Sequence, residues 1–154
     1  TAIWASRRVC ALGVGVNNSN ARNFTYLAST GMVQFHAIPQ SGSTPVDDLA
    51  HDLLIAITCK PYRTEVVEAV KIAREQGTTI ICLSDSPVSP ILRDADHGFV
   101  VGVDTPQFFL SSVSIIALLE TLLSFVIAVR RDEIVRWVET FHRRQHELGL
   151  YYEE

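Results

Sequence analysis

The sequence is poor in cysteine and has no recognisable secretory leader. Its three cysteines, Cys10, Cys59 and Cys82, each lie inside an apolar run, as buried free thiols do. A small and odd number of cysteines argues against a disulfide framework. The first ten residues, TAIWASRRVC, lack the regions of a signal peptide and resemble a chain cut between two modules. We therefore expect a reducing, cytoplasmic compartment.

Excess positive charge is also missing. Charged residues make up 19% of the 154 residues, and the net charge is -4. Binding to the phosphate backbone of DNA depends on clustered lysine and arginine, so this chain has no electrostatic footprint for DNA. The apolar fraction of 47% is typical of a folded protein, and the length predicts a single domain with one buried core.

One long apolar run needs an explanation of its own. Residues 108–131, FFLSSVSIIALLETLLSFVIAVRR, are long enough to span a bilayer. Glu120 lies at the centre of this run, however, and a charge at the middle of a membrane costs about 2.5 to 3.5 kcal/mol. We expect a helix buried in the core or in a dimer interface, and no membrane contact.

Short β-rich segments alternate with longer helical segments, which is the pattern of βα units and a parallel sheet. Strands are predicted at 8–15, 33–38, 52–58, 78–84 and 97–103. Helices are predicted at 19–31, 41–52, 62–77, 106–129 and 132–148, with a short helical turn at 91–95. The predicted fold class is α/β: a doubly wound, five-stranded parallel sheet of the flavodoxin-like kind, in three α/β/α layers.

Ligands of such sheets bind beyond the carboxyl ends of the strands, where the strand order reverses. That rule selects three loops, at 13–19, 58–64 and 84–90. In the first loop, Gly15, Asn17, Asn18 and Ser19 stand at the start of a helix, where free N–H groups and the helix dipole favour an anion. A dinucleotide fingerprint fails, because it requires glycine at Asn18. The same residues are equally compatible with ordinary helix caps.

The second loop brings cations to the start of the most regular predicted helix. Lys60 and Arg63 lie between the hydroxyls of Thr58 and Thr64. A phosphate group would find two cations, two hydroxyls and a helix dipole there. The alternative is that Lys60 and Arg63 are solvated surface charges and that Thr64 is a cap.

The third loop is rich in serine and proline. Ser84, Ser86 and Ser89 supply hydroxyls, while Pro87 and Pro90 restrict the backbone. These serines predict a polar rim for the same pocket, although serine is also common in turns that bind nothing.

Other polar side chains give weaker signals. His142 and His146 lie four residues apart on a predicted helix, but no third metal ligand accompanies them, so we expect no metal. The candidates for a general base are Glu65, Glu68, Glu120, His36 and His97. The three glutamates fall inside predicted helices, where solvent exposure or contact between helices is the more ordinary role. We expect no catalytic residue and no cofactor.

Several motifs in the predicted order resemble the sugar isomerase (SIS) domain. They are GVGVNNSNA after the first strand, DLLIAIT as the third strand, EAVKIAREQG in the next helix, SPVSPILRDAD, and FFLSSVSIIALLETLL after the fifth strand. The resemblance covers roughly residues 6–129. It implies a five-stranded α/β module that binds phosphorylated sugars.

The second loop departs from the pattern of this family. The family has S-x-S-G-x-T, in which clustered hydroxyls hold phosphate. Thr58 matches the first serine, but Lys60, Pro61 and Arg63 replace the second serine, the glycine and the threonine. In the first loop, Asn17 replaces a usual serine.

This version of the second loop, with SDSPVSP and the C-terminal tail, is similar to RpiR-type transcriptional regulators. The resemblance implies a phosphosugar-sensing domain, residues 1–130, that controls a DNA-binding helix-turn-helix domain outside this chain. Residues 131–154 are expected to form an amphipathic helix and tail packed on the same domain. A homodimer is expected, with the helix at 108–129 partly in the interface. Two alternatives stay open: a sugar-phosphate isomerase, and a dimerisation scaffold with a degenerate pocket.

Overall fold

A computed structural model describes residues 2–32, 34–38, 49 and 52–152, and these residues form a five-stranded parallel sheet. The strands are β1 (Val9–Gly13), β2 (Phe35–Ile38), β3 (Leu53–Ile57), β4 (Thr79–Ser84) and β5 (His97–Val100). Their order in the sheet is β2-β1-β3-β4-β5, and every pairing is parallel. The predicted α/β fold class is confirmed. The strand order reverses between β1 and β3, which identifies the switch point.

Helices cover both faces of the sheet. They are α1 (Ala2–Ala5), α2 (Val16–Ser29), α3 (Thr64–Glu75), α4 (Val113–Val129) and α5 (Arg131–Glu147), with a 3₁₀-helix at Pro90–Asp94. One apolar cluster joins α2 and α4 to the sheet, and a second joins α3 and the 3₁₀-helix to its other face. All residues of β1 and β3 are buried, as central parallel strands require.

The carboxylate of Asp52, directly before β3, binds the two arginines that precede β1. Its buried carboxylate accepts hydrogen bonds from Arg8 Nη2 at 2.6 Å and from Arg7 Nε at 3.2 Å. Burial alone would raise the pKa of Asp52, but the hydrogen bonds from Arg8 and Arg7 outweigh it and hold the pKa below its ordinary value of 3.8.

Helix α1 packs against the C-terminal end of α4. Trp4 Nε1 in α1 donates a hydrogen bond to the carbonyl oxygen of Val126 in α4 at 3.2 Å. The Arg130 guanidinium lies 4.6 Å from the centre of the Trp4 ring, within cation–π range. In α5, Ile134 is buried and contacts the end of α2 at Gly31.

Several predicted boundaries are wrong. The helix predicted to begin at residue 106 begins at Val113, and Phe108, placed on that helix, is fully exposed in a loop. The sequence places Trp137 with Ile134 on the apolar face of the last predicted helix, yet Trp137 is 55% exposed. The helix predicted at 41–52, with Ser43 or Thr44 ahead of Pro45, lies outside the described residues except for Leu49 and Asp52.

Residues 113–129 of the long apolar run form α4, which is half buried against α2 and the sheet. Within the described part of the chain, no helix taken singly has the length and hydropathy to span a membrane. The helices α4 and α5 meet those criteria only as a pair, and they meet at a bend of 109°.

Candidate functional site

A cavity of about 410 Å³ opens at the carboxyl ends of β1 and β3, at the switch point. Ligand sites typically enclose roughly 300 to 1,000 Å³. Its polar lining comes from three separate loops and consists of Asn17, Lys60, Arg63, Ser111 and Ser112. Its apolar lining consists of Val14, Val16, Cys59, Pro61, Val103, Phe109, Leu110 and Ile115.

The turn from β1 into α2 forms one wall of the cavity. Gly15, the N-cap of α2, has φ 65° and ψ -132°, a conformation that only glycine adopts without strain. Gly13 is needed for a different reason, because a Cβ at Gly13 would lie 2.1 Å from the carbonyl oxygen of Asn17. Both glycines bring the first turn of α2 close to the end of the sheet.

Asn17 lines this cavity at the first turn of α2. The side chain is nearly buried, and its Oδ1 accepts a hydrogen bond from Asn20 Nδ2 at 3.1 Å. That bond fixes which way the amide points, so the Asn17 Nδ2 donor stays available to a ligand. No described side chain caps α2. The Asn18 N–H donates to the Gly15 carbonyl at 3.0 Å, which leaves the N–H groups of Val16 and Asn17 as the donors at this helix start.

The turn after β3 forms the second wall. The Arg63 backbone N–H donates to Thr58 Oγ1 at 3.2 Å, and the Lys60 backbone N–H donates to Asp85 Oδ1 at 3.3 Å. These bonds fix the backbone of the loop, and both Lys60 and Arg63 line the cavity. The peptide bond between Lys60 and Pro61 is cis.

The two cations of this loop differ in availability. The Arg63 guanidinium pairs with Glu65 at 2.8 Å, and this pairing lowers the pKa of Glu65 to about 2. For the Lys60 ammonium, by contrast, the described residues contain no hydrogen-bond or ion-pair partner. Lys60 is therefore the cation more readily available to a bound anion.

The start of α4 forms the third wall. Ser112 is the N-cap of α4, and its Oγ accepts a hydrogen bond from Asn20 Nδ2 at 3.1 Å. The Ser111 Oγ accepts from the Val113 N–H at 3.3 Å. Neither serine was among the residues predicted for the site, because both fall inside the helix predicted at 106–129. The pair of serines directly before an apolar helical run was the available signal, since serine is a preferred N-cap.

Three helix N-termini therefore meet at one cavity. The N-caps of α2, α3 and α4 are Gly15, Arg63 and Ser112, and all three line it. Each N-terminus carries about half a positive charge from the helix dipole. With the Lys60 ammonium nearby, the arrangement favours a bound anion.

A buried thiol lies among the apolar lining residues. Cys59 is 8% exposed, and burial together with the nearby Asp85 carboxylate raises the pKa of its thiol to about 11. At neutral pH Cys59 is therefore a neutral, apolar part of the wall rather than a nucleophile. All three cysteines are free and buried.

Several residues predicted for the first and second loops lie outside the cavity lining. Asn18 turns back to donate to the Gly13 carbonyl at 3.1 Å, and Ser19 is exposed on α2. Thr58 is buried beneath the loop, where its Oγ1 accepts a hydrogen bond from the Arg63 N–H. Thr64 is exposed in the first turn of α3.

The serines of the third loop also lie outside the lining. Ser84 is fully buried and donates to the Thr58 carbonyl at 2.7 Å. The Ser86 Oγ accepts from the Val88 N–H at 3.4 Å, and Ser89 is buried as the N-cap of the 3₁₀-helix. The hydroxyls of Ser84 and Ser86 therefore bond to neighbouring backbone, whereas the Ser89 hydroxyl is buried without a hydrogen-bond partner among the described residues.

None of the candidate bases is among the described residues that line the cavity. Glu65 pairs with Arg63, and Glu68 pairs with Lys71 at 2.8 Å on the outer face of α3. Glu120 is exposed on α4, while His36 and His97 lie on the two edge strands. No carboxylate or imidazole occurs among the described lining residues. The described residues also contain no cluster of three metal-ligating side chains.

Known structures share this fold. The sugar isomerase domain of an RpiR transcription factor from Sphaerobacter thermophilus matches with a TM-score of 0.82 and 27% identity, over 92% of this chain and 82% of that chain. The Vibrio vulnificus NanR protein, complexed with ManNAc-6P, matches with a TM-score of 0.77 and 17% identity, over 95% of this chain and 58% of that chain.

A third similar structure has been linked to catalysis. It is a Methanococcus jannaschii protein for which a 3-hexulose-6-phosphate isomerase function is inferred, with a TM-score of 0.68 and 16% identity, over 88% of this chain and 78% of that chain. No curated protein matches the sequence significantly. The family model of the SIS domain matches residues 2–128. The chain therefore belongs to the SIS domain family.

Proposed function

We propose that this chain is the ligand-sensing domain of a cytoplasmic transcriptional regulator, and that it binds a phosphorylated sugar in the switch-point cavity. The observation that carries the proposal is the meeting of three helix N-termini and the Lys60 ammonium at one cavity. Such a site suits a doubly charged phosphate. The similarity to an RpiR transcription factor and to NanR bound to ManNAc-6P supports the same ligand class.

Sensing without turnover fits the chemistry of the lining. An isomerase moves a proton by means of a base within about 3 Å of the reacting carbon. The described lining residues include no carboxylate and no imidazole, and Cys59 is held neutral by burial. The inferred isomerase function of the Methanococcus jannaschii protein keeps catalysis as the second candidate for this family member.

Helix α4 is the proposed route from the ligand to the DNA-binding domain. Its first residues border the cavity, and its last turn holds Trp4 through the Val126 carbonyl. The helix is 17 residues long and spans about 25 Å. A ligand that pulls on Ser112 would shift α1, through which the N-terminal helix-turn-helix domain of an RpiR-type regulator would be attached. Such coupling requires only that the ligand prefers one of two arrangements.

The proposed assembly is a homodimer through the outer face of α4. Val113 and Phe125, on the side of α4 opposite its buried residues, are 72% and 70% exposed. Burying such side chains contributes about 1.5 to 3 kcal/mol each. Light scattering should give twice the chain mass, and Phe125→Glu should give the monomer mass. A wild-type monomer at 100 µM, roughly the limit of a weak interface, would contradict the assembly.

We also propose that residues 1–130 form the sensing unit and that residues 131–154 pack on it.

Calorimetric titration with sugar phosphates tests ligand binding. Lys60→Met removes the ammonium but keeps the aliphatic stem, and it should weaken binding about tenfold or more, since a charged hydrogen bond contributes roughly 1.5 to 3 kcal/mol. Lys71→Met is the matched control, because Lys71 pairs with Glu68 far from the cavity. Equal losses in both variants, or no binding by the wild type, would contradict the proposal. Conversion of a bound sugar phosphate would favour the isomerase.

A further inference from the structure

A buried amide, the side chain of Asn20 in the second turn of α2, lies behind the cavity wall. Asn20 is 4% exposed and is not among the described residues that line the cavity. Its Nδ2 donates two hydrogen bonds, one to Asn17 Oδ1 and one to Ser112 Oγ, both at 3.1 Å. Asn17 lies in the first turn of α2 and Ser112 is the N-cap of α4, and both line the cavity. One buried amide group therefore contacts two of the three walls.

The two partners of Asn20 are groups that can either donate or accept a hydrogen bond. Because Asn20 donates to both, the acceptor end of the Asn17 amide is occupied, and Ser112 keeps its O–H proton for another acceptor. Neither the Asn17 Nδ2 nor the Ser112 hydroxyl donates to any described residue. In the described chain, the buried side-chain polar atoms without a partner are the Tyr62 hydroxyl and Ser89 Oγ. The Asn17 Nδ2 is therefore accessible to solvent.

We propose that Asn20 is a positioning residue, which makes two walls of the cavity donate hydrogen bonds to a bound anion. This inference rests on the proposed function, and it concerns how the same site holds its ligand. An acceptor in place of the Asn20 Nδ2 would have the opposite effect. It would draw the Asn17 Nδ2 and the Ser112 O–H towards itself, and the Asn17 carbonyl oxygen would be left to meet the phosphate. Asn20 thus acts through Asn17 and Ser112 and does not touch the ligand.

A mutant cycle on the full chain tests this role by calorimetric titration. The ligand is whichever of N-acetylmannosamine 6-phosphate, N-acetylglucosamine 6-phosphate and glucose 6-phosphate the wild type binds most tightly. Asn20→Ala should weaken binding about tenfold, since two donors to a charged group lose their fixed direction. Added to the double variant Asn17→Ala, Ser112→Ala, it should change the affinity less than about twofold, because the groups through which it acts are gone. Asn23→Ala is the matched control, because Asn23 is exposed on the same helix, and it should bind as the wild type does.

The variant Asn20→Asp separates the direction of the hydrogen bonds from packing. Aspartate has nearly the same shape and can keep both contacts, but only by accepting from Asn17 and Ser112. Binding should therefore fall further than in Asn20→Ala.

The outcomes separate this inference from the proposed function. Tighter binding by Asn20→Asp than by Asn20→Ala would overturn the inference and leave a phosphosugar sensor. A further tenfold loss when Asn20→Ala is added to the double variant would also overturn it, because Asn20 would then act on the structure of the site in general. If none of the three 6-phosphates binds to the wild type, both the inference and the proposed function fail.

Discussion

Replacing Gly13 by alanine should damage both the stability of the fold and the shape of the cavity. A Cβ at this position would lie 2.1 Å from the Asn17 carbonyl oxygen and 2.4 Å from its carbonyl carbon. These distances are roughly 1 Å or more too short for van der Waals contact, and both atoms belong to the backbone. The first turn of α2 must therefore move away from β1. Forced overpacking of this kind costs about 3 kcal/mol.

Thermal unfolding followed by circular dichroism measures this cost. For a domain of this size, about 3 kcal/mol corresponds to a fall in Tm of about 6 to 12 °C. Gly102→Ala is the matched control, because no described atom lies within 4 Å of a Cβ built there, and it should leave Tm unchanged. The close approach of β1 and α2 is refuted if Gly13→Ala melts as the wild type does. Sugar-phosphate affinity should fall in Gly13→Ala as well, because the N–H groups of Asn17 move.

Three further changes test other parts of the structure. Asp52→Asn should lower the free energy of unfolding by about 2 kcal/mol at neutral pH, through lost charged hydrogen bonds from Arg8. Because the native pKa of Asp52 lies below 3.8, that difference should shrink as pH falls below 3.8 and vanish below the native value. A difference in urea unfolding that grows as pH falls below 3.8 would be contrary evidence. Cys59, with a pKa of about 11 against an ordinary 9.0, should react with iodoacetamide about a hundredfold more slowly in the native protein than in urea. Equal rates by mass spectrometry would disprove its burial. Ile134→Ala should cost about 2 to 4 kcal/mol in urea unfolding, since Ile134 packs on Gly31, and an unchanged midpoint would argue against docking of α5.

The sequence predicts the centre of the sheet well because burial there is complete. All residues of β3 are buried, and an apolar run of strand length has few alternatives in an α/β protein. Helix α3 is equally predictable, since Val66, Val70 and Ala73 share its buried face and Gly77 follows its end with a positive φ. In β3 and α3 the apolar pattern of the sequence therefore coincides with the residues that the fold buries.

The start of α4 was predicted poorly because apolar residues there have two different roles. Phe109 and Leu110 continue the apolar pattern of the helix, yet they belong to the loop that borders the cavity. Hydropathy cannot distinguish a helix residue from an apolar loop residue at a ligand site. Ser112, the true N-cap, was hidden within the run for the same reason.

Topology explains which predicted site residues line the cavity. Gly15, Asn17, Lys60 and Arg63 follow β1 and β3, the two strands at the switch point, and all four line it. Ser84 ends β4, one strand further along the sheet, and its hydroxyl turns back to the Thr58 carbonyl. Helix α4 packs against α2, which brings the start of α4 to the cavity where a third-loop serine had been expected. The order of the strands alone does not show that the start of α4 lies at the switch point.

The central claim is that the first turn of α2 and Lys60 hold a phosphate group. The most direct measurement is a ¹⁵N–¹H correlation spectrum of the full chain during titration with N-acetylglucosamine 6-phosphate or N-acetylmannosamine 6-phosphate. The backbone amide protons of Val16 and Asn17 should move downfield, as N–H groups do when they donate to a phosphate, and those of Lys71 and Glu68 should stay in place. Saturable shifts that leave Val16 and Asn17 unmoved would contradict the account.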